Sequence, residues 1–167
     1  IKSLATSSQA DYGSIMSLYR EGTYSDYTDT HYYFQHPRFD PGYEFQKDHF
    51  YIDNTPLISD SSCSLLTYYA TTRVVGKPQS VSELNIPFPH EYQHELFPIA
   101  MSVAAWQNIS AIYQFNWDPD QNQHNYVDWF FSYADNPVMI ITSKVMAYAY
   151  RKGYIKASQN KVISHLG

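Results

Sequence analysis

The chain has 167 residues, of which 17% are aromatic, including 17 tyrosines, and only 16% are charged, with 11 basic against 16 acidic residues. That length suits one domain with a sizeable core, and the apolar, weakly charged composition excludes a disordered chain. A net charge of −5 leaves no basic stripe for nucleic-acid phosphates, and six glycines and nine prolines without a period exclude a collagen-like repeat.

No apolar run approaches the ~18 residues a membrane-spanning helix needs. The start, Ile1-Lys2-Ser3-Leu4, lacks signal-peptide anatomy and reads like the middle of a longer polypeptide. A single cysteine, Cys63, allows neither an internal disulfide nor a cysteine metal site. Asn108-Ile109-Ser110 is a formal glycosylation sequon, which is a weak match. The tyrosine excess suits sugar rings, since tyrosine joins an apolar face to a polar tip; an aromatic-rich core explains it equally well.

In chain order, Ile1 to Ser8 is a strand candidate, and Ser14 to Arg20 a helix that Gly22 should stop. Asp26 to Tyr33 is Thr- and Tyr-rich and strand-like. Residues 35 to 60 hold Pro37, Pro41, Gly42 and Pro56 and predict a long loop, of the kind that usually carries function. Ser61-Ser62 can cap a helix through Leu65, Leu66, Tyr69 and Ala70. Gln79 to Glu83 predicts a buried strand, and Glu91 to Gln107 a helix with Pro98 near an irregular first turn or kink. Ala111 to Trp117 predicts a further strand, followed by a polar loop over Asp118 to Asn125. Pro137 to Lys152 is the clearest helix, with Asn136 as cap and Gly153 as stop. Strand and helix alternate four times, the pattern of a parallel sheet with crossover helices. Four such units make half of a (β/α)8 barrel or a small open α/β sheet.

The most informative segment is Gly76 to Tyr92. Its strand ends in Ser82-Glu83, and barrel enzymes place catalytic groups at the C-terminal ends of strands. Alternation puts Gln79, Val81 and Glu83 on one side. Glu83 can face a cleft as a catalytic carboxylate, or simply cap the strand end on backbone amides.

Two motifs stand in register, Val81-Ser82-Glu83-Leu84-Asn85-Ile86-Pro87-Phe88-Pro89 and, one strand earlier, Asp29-Thr30-His31-Tyr32-Tyr33-Phe34-Gln35-His36-Pro37. With the aromatic-ended strand Ile112 to Trp117, they resemble strands six to eight of the retaining glycoside hydrolases in the large (β/α)8 clan that includes β-galactosidases and cellulases. The resemblance runs from about Ile1 to Val162. It implies that residues 1–167 are the C-terminal half of a catalytic barrel, strands five to eight with their crossover helices, the last few residues being a candidate linker. It implies Glu83 as nucleophile, His31 and Tyr33 lining the cleavage subsite, and Trp117 as a sugar platform. His36, Asn85 and Glu91 are looser candidates for sugar hydroxyls. It calls for no cofactor and no metal, and a polysaccharide-degrading role would suit a secreted or periplasmic setting.

The clan's acid/base comes from an Asn-Glu pair at strand four. None of the five glutamates here, Glu21, Glu44, Glu83, Glu91 and Glu95, follows an asparagine. Besides a carbohydrate, the expected partner is therefore the N-terminal half of the barrel, or a second copy. A non-catalytic carbohydrate-binding half-barrel is the alternative. A third reading is the zinc-hydrolase pattern His90-Glu91-Tyr92-Gln93-His94. Against it stand Pro89 directly before the motif, Glu95 directly after it, and the lack of any later glutamate as third ligand.

Overall fold

Three strands, β1 (Thr28–Tyr33), β2 (Gln79–Asn85) and β3 (Ala111–Gln114), form a parallel sheet in the order β1-β2-β3. The computed structural model describes residues 3–6, 14–61, 65–117 and 125–165. Around the sheet stand the helices α1 (Ser14–Tyr24), α2 (Leu65–Thr71), α3 (Gln93–Trp106) and α4 (Pro137–Arg151), with one 3-10 turn at Leu57–Ser59. The protein is thus an α/β fold with a small parallel sheet. Of the four expected strands, the first is missing among the described residues. Residues 3–6 are irregular and tied to Asp26, whose backbone N–H donates to the Ala5 carbonyl at 2.8 Å. Ile1, Lys2, Ser7 and Ser8 lie outside the described residues, as do Ser62 of the expected helix cap, Cys63, and most of the expected polar loop.

One face of the sheet is apolar. Tyr32, Val81, Leu84 and Ile86 meet Leu65 and Tyr69 of α2, Leu96, Phe97, Ala100 and Ala104 of α3, and Met139 of α4 in a single core. These helices form because their apolar residues recur at three- and four-residue spacing, which turns one stripe to the sheet. Burying each such side chain contributes roughly 1.5–3 kcal/mol. Pro98 lies inside α3 but on its exposed side, and the N–H it lacks is the one that would bond to the His94 carbonyl. α4 starts and ends as expected. The Asn136 side chain accepts from the Met139 N–H at 3.2 Å, Pro137 opens the first turn, and Gly153 follows with φ +64°.

α1 overturns one expectation, because Gly22 does not stop it. The helix continues to Tyr24, and Gly22 is where Val74 approaches: a Cβ there would come within 2.9 Å of Val74 Cγ1. The inward side of α1 holds Ser17 and Glu21, and Glu21 Oε2 accepts the Asp29 backbone N–H at 3.2 Å on the free edge of β1. Further along that edge the His31 carbonyl accepts from the Tyr68 hydroxyl at 2.7 Å. Side chains thus occupy backbone groups that an edge strand otherwise leaves unpaired.

The long loop exists as expected and is ordered by its own contacts. Arg38 and Tyr51 exchange two backbone hydrogen bonds of 2.9 Å at its neck. Residues 154–165 contain neither helix nor strand.

Candidate active site

The pairing of β1 with β2 slips by one residue: Thr30 lies opposite Val81, but His31 lies opposite Glu83. Ser82 is therefore an extra residue, a β-bulge, and a bulge re-aims the side chains that follow it. Alternation alone would place Glu83 with Gln79 and Val81. Instead Val81 packs into the core, whereas Glu83 joins the opposite face, beside the side chains of β1. That correction creates the site. Glu83 Oε2 accepts a hydrogen bond from the Tyr33 hydroxyl and lies 3.3 Å from His31 Nδ1. The Glu83 side chain remains 29% exposed, so the carboxylate is held from below and open above.

Beneath it lies a second carboxylate. Asp29, only 2% exposed, accepts hydrogen bonds from the Ser80 and Ser82 hydroxyls, and one of its oxygens is 3.9 Å from His31 Nε2. His31, 7% exposed at the side chain, thus bridges a buried carboxylate and an open one. The serines occupy the Asp29 oxygens, so this buried carboxyl group has hydrogen-bond partners.

Trp117, three residues beyond β3, is 58% exposed and stands edge-on to Tyr133 with ring centres 5.2 Å apart. It follows the C-terminal end of β3, the parallel neighbour of β2. His36 is exposed at the start of the long loop, its ring 5.6 Å from that of Tyr33; its Nδ1 is bound to the Pro37 carbonyl at 2.9 Å. Asn85 points inward. Its Nδ2 donates to the carbonyls of Phe115 and, at 2.7 Å, Phe131, and its Oδ1 accepts from the Ile86 N–H at 2.7 Å. All three of these bonds go to backbone groups, so Asn85 braces the rim. Glu91 is exposed in the turn before α3, with its backbone N–H on Asn54 Oδ1 at 2.9 Å, and no contact joins it to the Glu83 cluster among the described residues.

The other glutamates are similarly occupied elsewhere: Glu21 on β1 backbone, Glu44 on the Gly42 N–H, and Glu95 on the Ile58 N–H. A wall of aromatic rings that the spacing did not reveal borders the cluster. Phe131 lies 4.7 Å from the Tyr33 ring, with Phe115 at 6.2 Å from both, and Trp129 5.3 Å from Phe131. The run Trp129-Phe130-Phe131 was the available signal, but nothing in its spacing says that it returns to the end of β3.

The zinc pattern does not form its metal geometry. His90 lies in the turn ahead of α3, so His90 and His94 do not share a helix face. His90 is buried, its Nε2 sits 2.6 Å from Gln35 Oε1, and its Nδ1 accepts from the Tyr92 N–H at 3.1 Å. Burial holds its pKa below the usual imidazole range, against the opposing pull of Glu95 and Glu91. His94 is exposed, and no group of three potential metal ligands occurs among the described residues.

Comparison with protein-family models, with curated proteins and with solved structures finds no match.

Proposed function

We propose that this chain is the nucleophile-bearing half of a retaining glycoside hydrolase, with Glu83 as the nucleophile. The observation that supports this best is the way Glu83 is held. Both Tyr33 and His31 engage Oε2, which leaves Oε1 for attack at the open rim of a parallel sheet. In that reaction Glu83 Oε1 forms a bond to the anomeric carbon as the glycosidic C–O bond breaks, and the leaving oxygen takes a proton from a carboxylic acid. Water then attacks the same carbon, gives its proton to that second carboxylate, and frees Glu83 with configuration retained.

The second carboxyl group must lie ~5–5.5 Å from the first. Asp29 is the carboxylate sharing His31 with Glu83, but it is buried and bonded to two serines, so it suits positioning and not proton delivery. The reading therefore assigns the acid/base to the N-terminal half of a (β/α)8 barrel, which would also cover the outward apolar stripe of α4, Ile141, Val145 and Tyr148. Trp117 would carry a sugar ring on its exposed face, and His36 a hydroxyl. A mechanism-based glycosyl inhibitor, with the upstream half supplied, tests the reading by labelling Glu83.

A non-catalytic carbohydrate-binding half-barrel shares the exposed aromatic rim, and is favoured over the enzyme only if Glu83 resists such labelling.

A further inference from the structure

We propose that Phe45 and His36, on the long loop, form a further sugar subsite that takes the next unit of a glycan whose reacting unit lies over Glu83. This inference rests on the glycosidase reading and deepens it. The loop is fixed before any ligand arrives. Gln35 Oε1 accepts from the Thr55 N–H at 3.1 Å and lies 2.6 Å from His90 Nε2; Asp40 accepts from the Tyr51 hydroxyl at 3.0 Å and sits 2.8 Å from His49 Nε2. Phe39 and Phe50 pack on Phe130 at 5.7 and 5.0 Å, and Lys47 pairs with Asp128.

On this fixed loop Phe45 is 60% exposed. Its φ is +62°, a region that bulky residues rarely adopt. An apolar ring held in water on an unfavourable backbone contributes nothing to the core, which points from strain to function. Its placement gives the function content. The ring is tilted against Phe39 at 5.1 Å and edge-on to His36 at 6.3 Å. His36 is in turn 5.6 Å from Tyr33, which donates to Glu83. Phe45 is thus two ring-to-ring steps from the residue that holds the nucleophile, along one continuous line. With His36 Nδ1 spent on the Pro37 carbonyl, Nε2 is the acceptor for a hydroxyl, beside an aromatic face for the C–H side of a pyranose. The ligand class is an oligosaccharide of at least two pyranose units.

The test is calorimetric titration of this chain with glucose, galactose and mannose and with their β-linked disaccharides. For the series that binds, the disaccharide should bind roughly 3- to 10-fold more tightly than the monosaccharide. Phe45→Asn, which keeps a residue tolerant of positive φ but removes the ring, should erase that gain and leave monosaccharide affinity unchanged. Phe45→Tyr should keep the gain. Trp117→Ala should weaken both lengths alike. An unchanged gain in Phe45→Asn overturns the subsite and spares the Glu83 reading. Absence of binding by every sugar in the wild-type chain counts against both.

Discussion

Asn85→Ala distinguishes a rim brace from a sugar ligand. The side chain is buried and makes three hydrogen bonds, donating to Phe115 and Phe131 and accepting from Ile86. Truncation leaves the Phe115 carbonyl and the Ile86 N–H without partners, while the Phe131 carbonyl keeps the Asn116 N–H at 3.2 Å. Each such buried group costs ~1–3 kcal/mol, and water entering the gap offsets part, so the net loss should be about 2–4 kcal/mol. That is a large share of a typical total of ~5–15 kcal/mol. For a chain of this size each kcal/mol shifts the midpoint by ~2–4 °C, which puts the fall at about 4–16 °C. The consequence reaches the site, because Phe131 leans on Tyr33 at 4.7 Å and Tyr33 holds Glu83. Thermal and urea unfolding of the purified chain measure it. A loss below about 1 kcal/mol, with weakened sugar binding, would refute the brace and return Asn85 to the cleft as a ligand.

Tyr33→Phe removes one hydroxyl from the Glu83 carboxylate but keeps the ring against Phe131. It should slow labelling of Glu83 by an inhibitor at least ~10-fold, as expected for a hydrogen bond to a charged group, with little change in unfolding midpoint. His90 supplies a pH dependence whose sign follows from its lowered pKa. As pH falls through about 6.5 the unfolded chain takes up the proton first, so stability drops until the folded-state value is passed. That component should vanish in His90→Gln, as read from urea midpoints at a series of pH values. The apolar stripe of α4 predicts that Val145→Glu weakens association with the proposed upstream half, measured by sedimentation of the mixture; equal association would place the interface elsewhere.

Much of the fold was legible because local chemistry fixed it. Asn136, Pro137 and Gly153 punctuate α4, and the apolar spacing of Leu96, Phe97, Ala100 and Ala104 writes the buried side of α3. What failed had tertiary causes. Gly22 reads as a stop, but its purpose is the close approach of Val74. The expected strand over Ile1 to Ser8 rests on a short apolar run, and its described part is held by Asp26 as an irregular segment. Period-two alternation assumes an unbroken ladder, so it could not foresee the bulge at Ser82. Glu83, His31 and Tyr33 lie together because β1 and β2 are neighbours in the sheet, which the alternation of strand and helix implied. Asp29 with Ser80 and Ser82, and the Phe115, Trp129 and Phe131 wall, depend on register between distant segments. His90-Glu91-Tyr92-Gln93-His94 shows the opposite error, a pattern whose spacing is right and whose helix begins three residues too late.

The central claim is tested most directly by mapping the peptide labelled by a 2-deoxy-2-fluoroglycosyl inhibitor when this chain is combined with the proposed N-terminal half of a barrel. The account predicts label on Glu83 alone, its loss in Glu83→Gln, and no turnover by the 167-residue chain by itself. Label on any other residue, or turnover by this chain alone that survives Glu83→Gln, would contradict it.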